Sequence, residues 1–172
     1  MAGASKLAPC IRATAAGLAP GVAVRKPLTT VPRGENGRQL AQVMQRGLFV
    51  ALSGELGSGK TTLARGILRG LGYQGKVKSP TYTLVEHYKL SRLDLYHFDF
   101  YRFKDSRELL EAGFRDDFDS RNVCLIEWPE RAQDLLPIAD LSVSLMEERG
   151  GRRVRVAAQT ELGKICLARI AT

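Results

Sequence analysis

A glycine-rich segment between a short apolar run and a helical pattern constrains this fold more than any other part of the chain. Residues 54–61 read GELGSGKT and match the phosphate-loop pattern G-x-x-x-x-G-K-T. The apolar run at 48–52 predicts a buried strand before the loop, and apolar residues at helical spacing follow it across 62–69. Glycines let successive backbone N–H groups converge, and the dipole of the following helix adds partial positive charge. The segment therefore predicts a site for a nucleoside triphosphate.

Lys60 and Thr61 are the two side chains of this loop with predicted contacts to the ligand. We expect the Lys60 amine to reach the β- and γ-phosphates and the Thr61 hydroxyl to bind Mg²⁺. A glycine turn with an incidental lysine is the alternative interpretation. The strand and helix patterns on either side disfavour it, because a chance match would not place the loop at a strand-to-helix junction.

Composition and cysteine usage are those of a soluble globular chain. Its 172 residues, 44% hydrophobic and 26% charged, fit one domain. The three cysteines, Cys10, Cys124 and Cys166, form no C-x-x-C pair, which favours a reducing cytosol over a disulfide scaffold or a zinc site. No apolar stretch approaches the roughly 20 residues of a membrane-spanning helix, so no membrane partner is expected. The formal charge of +8 permits an acidic or nucleic-acid partner, and a solvated basic surface explains it equally well.

Residues 1–33 differ in composition from the rest, because they contain five basic residues and no acid. This pattern predicts a basic, flexible N-terminal arm, with the phosphate-loop domain covering 34–172. A targeting segment or a start codon placed too far upstream would have the same composition.

Strand and helix patterns alternate through most of the chain. We predict strands at 24–31, 81–90, 93–101 and 122–126, and an antiparallel hairpin from 139–146 and 153–158. Pro27 indicates that the first of these strands lies at an edge. Helices are predicted at 34–46, 107–111, 130–136 and 162–170. The predicted fold is α/β: a P-loop NTPase-like sheet flanked by helices, with a C-terminal antiparallel hairpin.

Two acids follow apolar strand patterns and are candidates for the chemistry of a bound triphosphate. Glu127 ends the run at 123–126, and Asp99 follows the run at 95–98. Hydrolysis requires an acid that holds Mg²⁺ and a group that orients water, and the carboxyl ends of strands are where open α/β sheets bind ligands. Helix caps or solvated strand ends are the plainer alternatives. A glutamate at 127 where an aspartate is usual weakens any assignment to a standard ATPase class.

The histidines and arginines are less informative. His97 lies in an alternating strand pattern, which favours a packed or surface histidine over a general base, and His87 is similar. No arginine is singled out as a contact to the transferred phosphate, and the candidates are Arg65, Arg69, Arg102 and Arg107.

Four motifs together resemble the TsaE family, also called YjeE. They are GELGSGKTT at 54–62, KSPTYTLV at 78–85, YHFDFYR at 96–102 and EWP at 127–129, in the family's order. The similarity covers about residues 34–170 and leaves out the N-terminal arm.

The resemblance implies a small cytoplasmic ATPase that uses ATP and Mg²⁺. It also implies that the protein acts together with the TsaB and TsaD proteins, which install N6-threonylcarbamoyladenosine in tRNAs that read codons beginning with A. The contact with tRNA is then made through that complex. Glu127 resembles the metal-side acid and Asp99 the second catalytic carboxylate, so the expected catalytic residues are Lys60, Asp99 and Glu127, with Thr61 and Glu127 on the metal. The 79–83 stretch resembles a switch segment, and Trp128 is expected near the site. The expected nucleotide-binding residues are Glu55, Leu56, Gly57, Ser58, Gly59, Lys60, Thr61 and Thr62.

Two other functions stay open at this point. Phosphate loops also serve small-molecule kinases, although no arginine-rich lid follows Lys60 and little chain remains for an acceptor pocket. A nucleotide-dependent RNA-binding module without catalysis is the other alternative, and no basic run interleaved with aromatics favours it.

Overall fold

The fold is built around one mixed sheet of seven strands in the order β1-β7-β6-β2-β5-β4-β3. A computed structural model describes residues 24–28, 35–105, 107–108, 118, 121–149 and 151–170. The strands are β1 (Val24–Leu28), β2 (Phe49–Ser53), β3 (Val85–Lys89), β4 (Asp94–Asp99), β5 (Val123–Glu127), β6 (Leu141–Glu148) and β7 (Gly151–Ala158).

The middle of the sheet is parallel and its two margins are antiparallel. Strand β2 pairs in parallel with β5 and β6, and β4 pairs in parallel with β5. Strand β3 pairs antiparallel with β4 at one margin, and β1 and β6 pair antiparallel with β7 at the other. The carboxyl ends of β2, β4 and β5 therefore meet at one edge, where a ligand site is expected in an open α/β sheet.

Three helices cover one face of the sheet: α1 (Glu35–Ala41), α2 (Lys60–Gly70) and α3 (Glu161–Ile170). Their apolar residues share one buried cluster with alternate residues of the strands, because successive strand side chains point to opposite faces. The other face is covered by an aromatic cluster. Its buried members are Phe49, Phe98, Phe100, Phe103, Cys124, Ile126, Ala132 and Leu136.

The fold class predicted from sequence is confirmed, with corrections to two helices. Helix α1 ends at Ala41 rather than at residue 46, because the amides of residues 42–44 bond three residues back instead of four. The tighter turns still bury Leu40, Val43 and Met44, which produced the helical pattern. The helix predicted at 130–136 is wrong, and two short 3₁₀ turns, Pro129–Arg131 and Gln133–Leu135, replace it.

The N-terminal part of the chain contributes the edge strand. The strand predicted at 24–31 is present over Val24–Leu28, and it is an edge strand as Pro27 indicates. These residues lie within the predicted arm, so this part of 1–33 belongs to the sheet. The rest of 1–33 lies outside the described residues, as does most of the helix predicted at 107–111. Within the described ranges, no helix is long and apolar enough to cross a membrane.

Candidate functional site

The glycine-rich loop joins β2 to α2, as predicted from the sequence. Gly54, Gly57 and Gly59 have φ angles of 146°, 79° and 101°, a region that glycine occupies without a steric penalty. A Cβ atom on Gly54 would lie 2.6 Å from the carbonyl oxygen of Leu145 on β6. The neighbouring strand is therefore packed directly against the base of the loop, and only glycine fits there.

The Lys60 side chain lies within its own loop. Its ammonium group donates to the carbonyl oxygens of Gly54 at 2.7 Å and Glu55 at 2.9 Å, and it lies 3.9 Å from the ring centroid of Trp128. Burial lowers the pKa of Lys60, while the negative charges of Glu127, Glu130 and Asp99 act in the opposite direction. The Lys60 ammonium group is thus a buried cation beside the cavity over the loop.

Glu127 and Asp99 are brought together by the pairing of β4 with β5. They are direct register partners at the last position of each strand, and both are 2% exposed. The Thr61 hydroxyl donates to Glu127 Oε2 at 3.2 Å, which connects the start of α2 to the end of β5. His97 Nε2 lies 2.9 Å from Glu127 Oε1. The two carboxylates therefore stand at the mouth of the loop, as the sequence pattern predicted.

Asp99 is held by the segment that precedes β3. The hydroxyls of Ser79 and Thr81 each donate to Asp99 Oδ2 at 2.6 Å, and the Tyr101 amide donates to Oδ1 at 3.0 Å. The predicted switch segment thus touches the acid through two hydroxyls. Tyr82 in the same segment is exposed and lies under the guanidinium of Arg102.

Strained backbone flanks both acids. Leu84 and Trp128, with φ of 64° and 58°, are the non-glycine residues with positive φ in the described part of the chain. Leu84 accepts the Asp99 amide through its carbonyl, and Trp128 directly follows Glu127. Such conformations cost about 1–3 kcal/mol each and cluster at functional sites. The strain therefore coincides with the two candidate catalytic carboxylates.

A cavity of about 330 Å³ lies over the loop. It is lined by most of the predicted site residues: Leu56, Gly57, Gly59, Lys60, Thr61, Thr62, Asp99, Glu127 and Trp128. Two predicted loop residues do not line it: the Glu55 side chain is exposed, and the Ser58 hydroxyl is buried without a hydrogen-bond partner among the described residues. A larger cleft of about 680 Å³ near Arg46 and Arg92 has no acid, histidine or cysteine in its lining. The smaller cavity is therefore the candidate site.

Arg152 lines this cavity, and sequence reasoning did not identify it. Its guanidinium Nη1 lies 2.9 Å from the position of a Cβ on Gly59, and its Nη2 donates to Glu147 Oε1 at 3.3 Å across the β6–β7 hairpin. The four arginines proposed from sequence have other contacts and do not line the cavity. Arg65 donates to Val77, Arg69 to Tyr73 and Arg107 to Asp105, while Arg102 stacks on Tyr82.

The contact of His97 with Glu127 is the second feature of the site that the sequence did not predict. Of the two predicted alternatives, a packed or a surface histidine, the structure shows the packed one, and its hydrogen bond to Glu127 was not predicted. Alternation along β4 places residues 95, 97 and 99 on one face. The pairing with Glu127 depends on the β4–β5 register, which a single sequence does not reveal.

The sheet, the loop and the strand-end acids define a P-loop NTPase-like protein. A solved structure, that of YdiB from Bacillus subtilis, has the same fold, with a TM-score of 0.73 and 25% identity over 87% of this chain and 96% of YdiB. A family model described as "Threonylcarbamoyl adenosine biosynthesis protein TsaE" matches residues 33–155, and this chain belongs to the TsaE family. The resemblance found in the four motifs is thereby confirmed.

Curated relatives agree with this membership. The Haemophilus influenzae protein named tRNA threonylcarbamoyladenosine biosynthesis protein TsaE is 47% identical over 133 residues, which are 74% of this chain and 84% of the relative. The Treponema pallidum protein of the same name is 36% identical over 122 residues, covering 70% of this chain and 90% of the relative.

Proposed function

We propose that this protein is a Mg²⁺-dependent ATPase that drives or resets a TsaB–TsaD complex during N6-threonylcarbamoyladenosine modification of tRNA. The observation that carries the ATPase proposal is the register pair Asp99 and Glu127, two buried acids beside the Lys60 loop. The family and the printed names of its relatives support the pathway.

The residues of the loop fit a triphosphate. Gly54 leaves no room for a side chain against Leu145, so strand β6 fixes the base of the loop. Gly57 and Gly59 line the cavity and have no side chain, so their backbone is accessible to phosphate oxygens. The Lys60 amine, now on two loop carbonyls, can exchange them for phosphate oxygens.

The Thr61 hydroxyl and the Glu127 carboxylate fit Mg²⁺, because this ion prefers hard oxygen ligands. They are 3.2 Å apart at the head of α2 and would hold the ion together with phosphate oxygens and water. When bound, Mg²⁺ supplies charge that stabilises the phosphates during transfer. Thr61 and Glu127 are thus the proposed metal residues.

Asp99 is the proposed water-orienting acid. One of its oxygens accepts two hydroxyl donors, from Ser79 and Thr81, while the other accepts a backbone amide. Hydroxyl donors rotate easily, so Oδ2 can release one of them and accept a hydrogen bond from a water molecule. The segment 79–83 would thereby couple its conformation to the γ-phosphate.

The proposal places the protein in the cytoplasm, where it reaches tRNA through its partners. We expect weak hydrolysis by the chain alone, because the cavity over the loop is open on one side, and faster hydrolysis when TsaB and TsaD complete the site. Two apolar or aromatic residues that line this cavity, Leu56 and Tyr101, are exposed.

ATP hydrolysis by the chain alone, and then with TsaB and TsaD from the same source, tests the proposal. Strong stimulation by the pair that requires Mg²⁺ and is absent with Lys60→Ala is the expected result. Robust activity that the pair leaves unchanged would contradict it. Faster phosphoryl transfer to an added small molecule than to water would favour the kinase alternative instead.

A further inference from the structure

His97 is the most deeply buried polar side chain beside the site. It is one of two histidines in the chain and has no exposed surface. Strand β4 places it one alternate position before Asp99, on the face that carries the loop and α2. The only hydrogen bond of its side chain among the described residues joins Nε2 to Glu127 Oε1 at 2.9 Å.

The hydrogen-bond pattern determines where the imidazole proton lies. A carboxylate oxygen accepts, so the bond to Glu127 requires a proton on Nε2. Nδ1 is buried and has no partner in the described part of the chain. A proton on Nδ1 would be an unsatisfied buried donor, which costs more than an unused lone pair. A proton on Nε2 therefore satisfies the hydrogen bond to Glu127.

His97 and Thr61 each hold one oxygen of the Glu127 carboxylate, and the bond to His97 is the shorter of the two. Oε1 is held by His97, and Oε2 then lies 3.2 Å from the Thr61 hydroxyl. The terminal torsion of a glutamate is broad, so without a fixed donor on Oε1 the carboxylate would rotate away from Thr61. We propose that His97 is a positioning residue, whose Nε2–H holds Glu127 so that its second oxygen faces the metal position beside Thr61. This inference rests on the proposed function, which assigns Glu127 and Thr61 to Mg²⁺.

Trp128 makes the proposal measurable without hydrolysis. It is the single tryptophan of the chain, lines the cavity and stacks on Lys60. Its fluorescence can follow binding of the non-hydrolysable analogue AMPPNP with and without Mg²⁺. We expect His97→Phe to reduce the tightening by Mg²⁺ about 10-fold, since groups that orient a metal ligand have effects of this size. Binding without Mg²⁺ should be unchanged.

Two matched variants separate positioning from general damage to the core. His97→Gln places an amide donor where Nε2 stands, so it should restore most of the Mg²⁺ effect. His87→Phe makes the same substitution at the other histidine, which stacks on Tyr96 and does not touch Glu127. It should leave the Mg²⁺ effect unchanged. Full Mg²⁺ tightening in a folded His97→Phe protein overturns the proposal.

A second measurement uses the unmodified chain and does not depend on whether a variant folds. The two histidines of the chain give two sets of imidazole ¹⁵N signals in an NMR spectrum, and the set that His87→Gln removes belongs to His87. We expect His97 to carry its proton on Nε2, and a bare Nε2 overturns the proposal. Wild-type chain that binds AMPPNP more tightly with Mg²⁺ but never hydrolyses ATP, even with TsaB and TsaD, would overturn the proposed ATPase and leave the role of His97 supported.

Discussion

Buried acids occur at both ends of the parallel strands, and the share of backbone groups among their hydrogen-bond partners differs. Asp140 precedes β6 at the amino end and is 1% exposed. Its Oδ2 accepts the Phe49 amide at 2.9 Å, and its Oδ1 accepts the Thr160 hydroxyl. Its own backbone bonds to Phe49 and Gln159. This acid joins the start of β2 to the start of α3.

At the carboxyl end, Asp99 and Glu127 are held mostly by side chains. Three hydroxyls and one imidazole provide four of the five contacts described above, through Ser79, Thr81, Thr61 and His97, and the fifth is the backbone amide of Tyr101. A backbone donor cannot leave without local unfolding, whereas a hydroxyl can rotate to another acceptor. The comparison teaches that the partner type distinguishes an acid that stabilises the fold from an acid that is free to exchange partners.

The largest expected effect is the loss of turnover in Lys60→Ala, at the site formed by the carboxyl ends of the strands. We expect turnover to fall by about 10²–10³, the typical loss when one preorganised charge donor is removed. Stability should change little, because the unfavourable burial of the amine, seen in its lowered pKa, opposes the loss of its hydrogen bonds to Gly54 and Glu55. ATP hydrolysis and urea unfolding measure the two effects. The exposed Lys78→Ala is the control, and a Lys60→Ala protein with normal turnover would contradict the assignment.

Removing either acid of the same site should reduce turnover more than it weakens nucleotide binding. Asp99→Ala and Glu127→Ala should each reduce kcat about 100-fold, while AMPPNP binding to the loop changes less, since Lys60 and the loop amides remain. Single-turnover hydrolysis and Trp128 fluorescence separate the two quantities. Asp99→Asn and Glu127→Gln control for side-chain volume. Normal turnover in both alanine variants would sink the assignment of these acids.

The amino-end acid should show the opposite behaviour. Asp140→Ala should lower the free energy of unfolding by about 3 kcal/mol, because it leaves the buried Phe49 amide and the Thr160 hydroxyl without their acceptor. Activity per folded molecule should be unchanged. Urea unfolding measures this, with the exposed Asp134→Ala as control. A loss of specific activity without a loss of stability would erase the distinction between the two ends.

The smallest effect is expected at the hairpin. Arg152→Ala should raise KM for ATP several-fold with little change in kcat, because the guanidinium lines the cavity beside Gly59 and its ion-pair partner among the described residues, Glu147, is exposed. Arg153→Ala is the matched control, since Arg153 pairs with Glu148 and does not line the cavity. Equal KM values for the two variants would remove Arg152 from the site.

The parts of the site that follow from local chain chemistry were predictable from sequence. The loop follows from its glycines, and Asp99 and Glu127 follow from acids that terminate apolar strands. The pairing of His97 with Glu127 and the approach of Arg152 to Gly59 were not predictable, because each depends on strand register or on a hairpin 90 residues away in the chain.

The secondary-structure predictions were likewise correct where the local sequence pattern is decisive and wrong where it is not. Burial of Leu40, Val43 and Met44 is compatible with both an α-helix and tighter turns, so the pattern identified the buried residues but overestimated the length of α1. Pro129 suits the first turn of a helix, but the chain there bends through two 3₁₀ turns toward β6. Periodicity reports burial more directly than it reports the hydrogen-bond pattern.

The bonds from the Lys60 amine to Gly54 and Glu55 have a consequence for conformational entropy. Restricting one backbone residue costs about 1–2 kcal/mol, and glycines lose the most freedom. Because the lysine already spans the loop, most of this ordering takes place when the chain folds. A phosphate that enters the loop therefore binds a backbone that is already ordered. Its oxygens replace the two carbonyl groups as partners of the Lys60 amine, and little further backbone entropy is lost on binding.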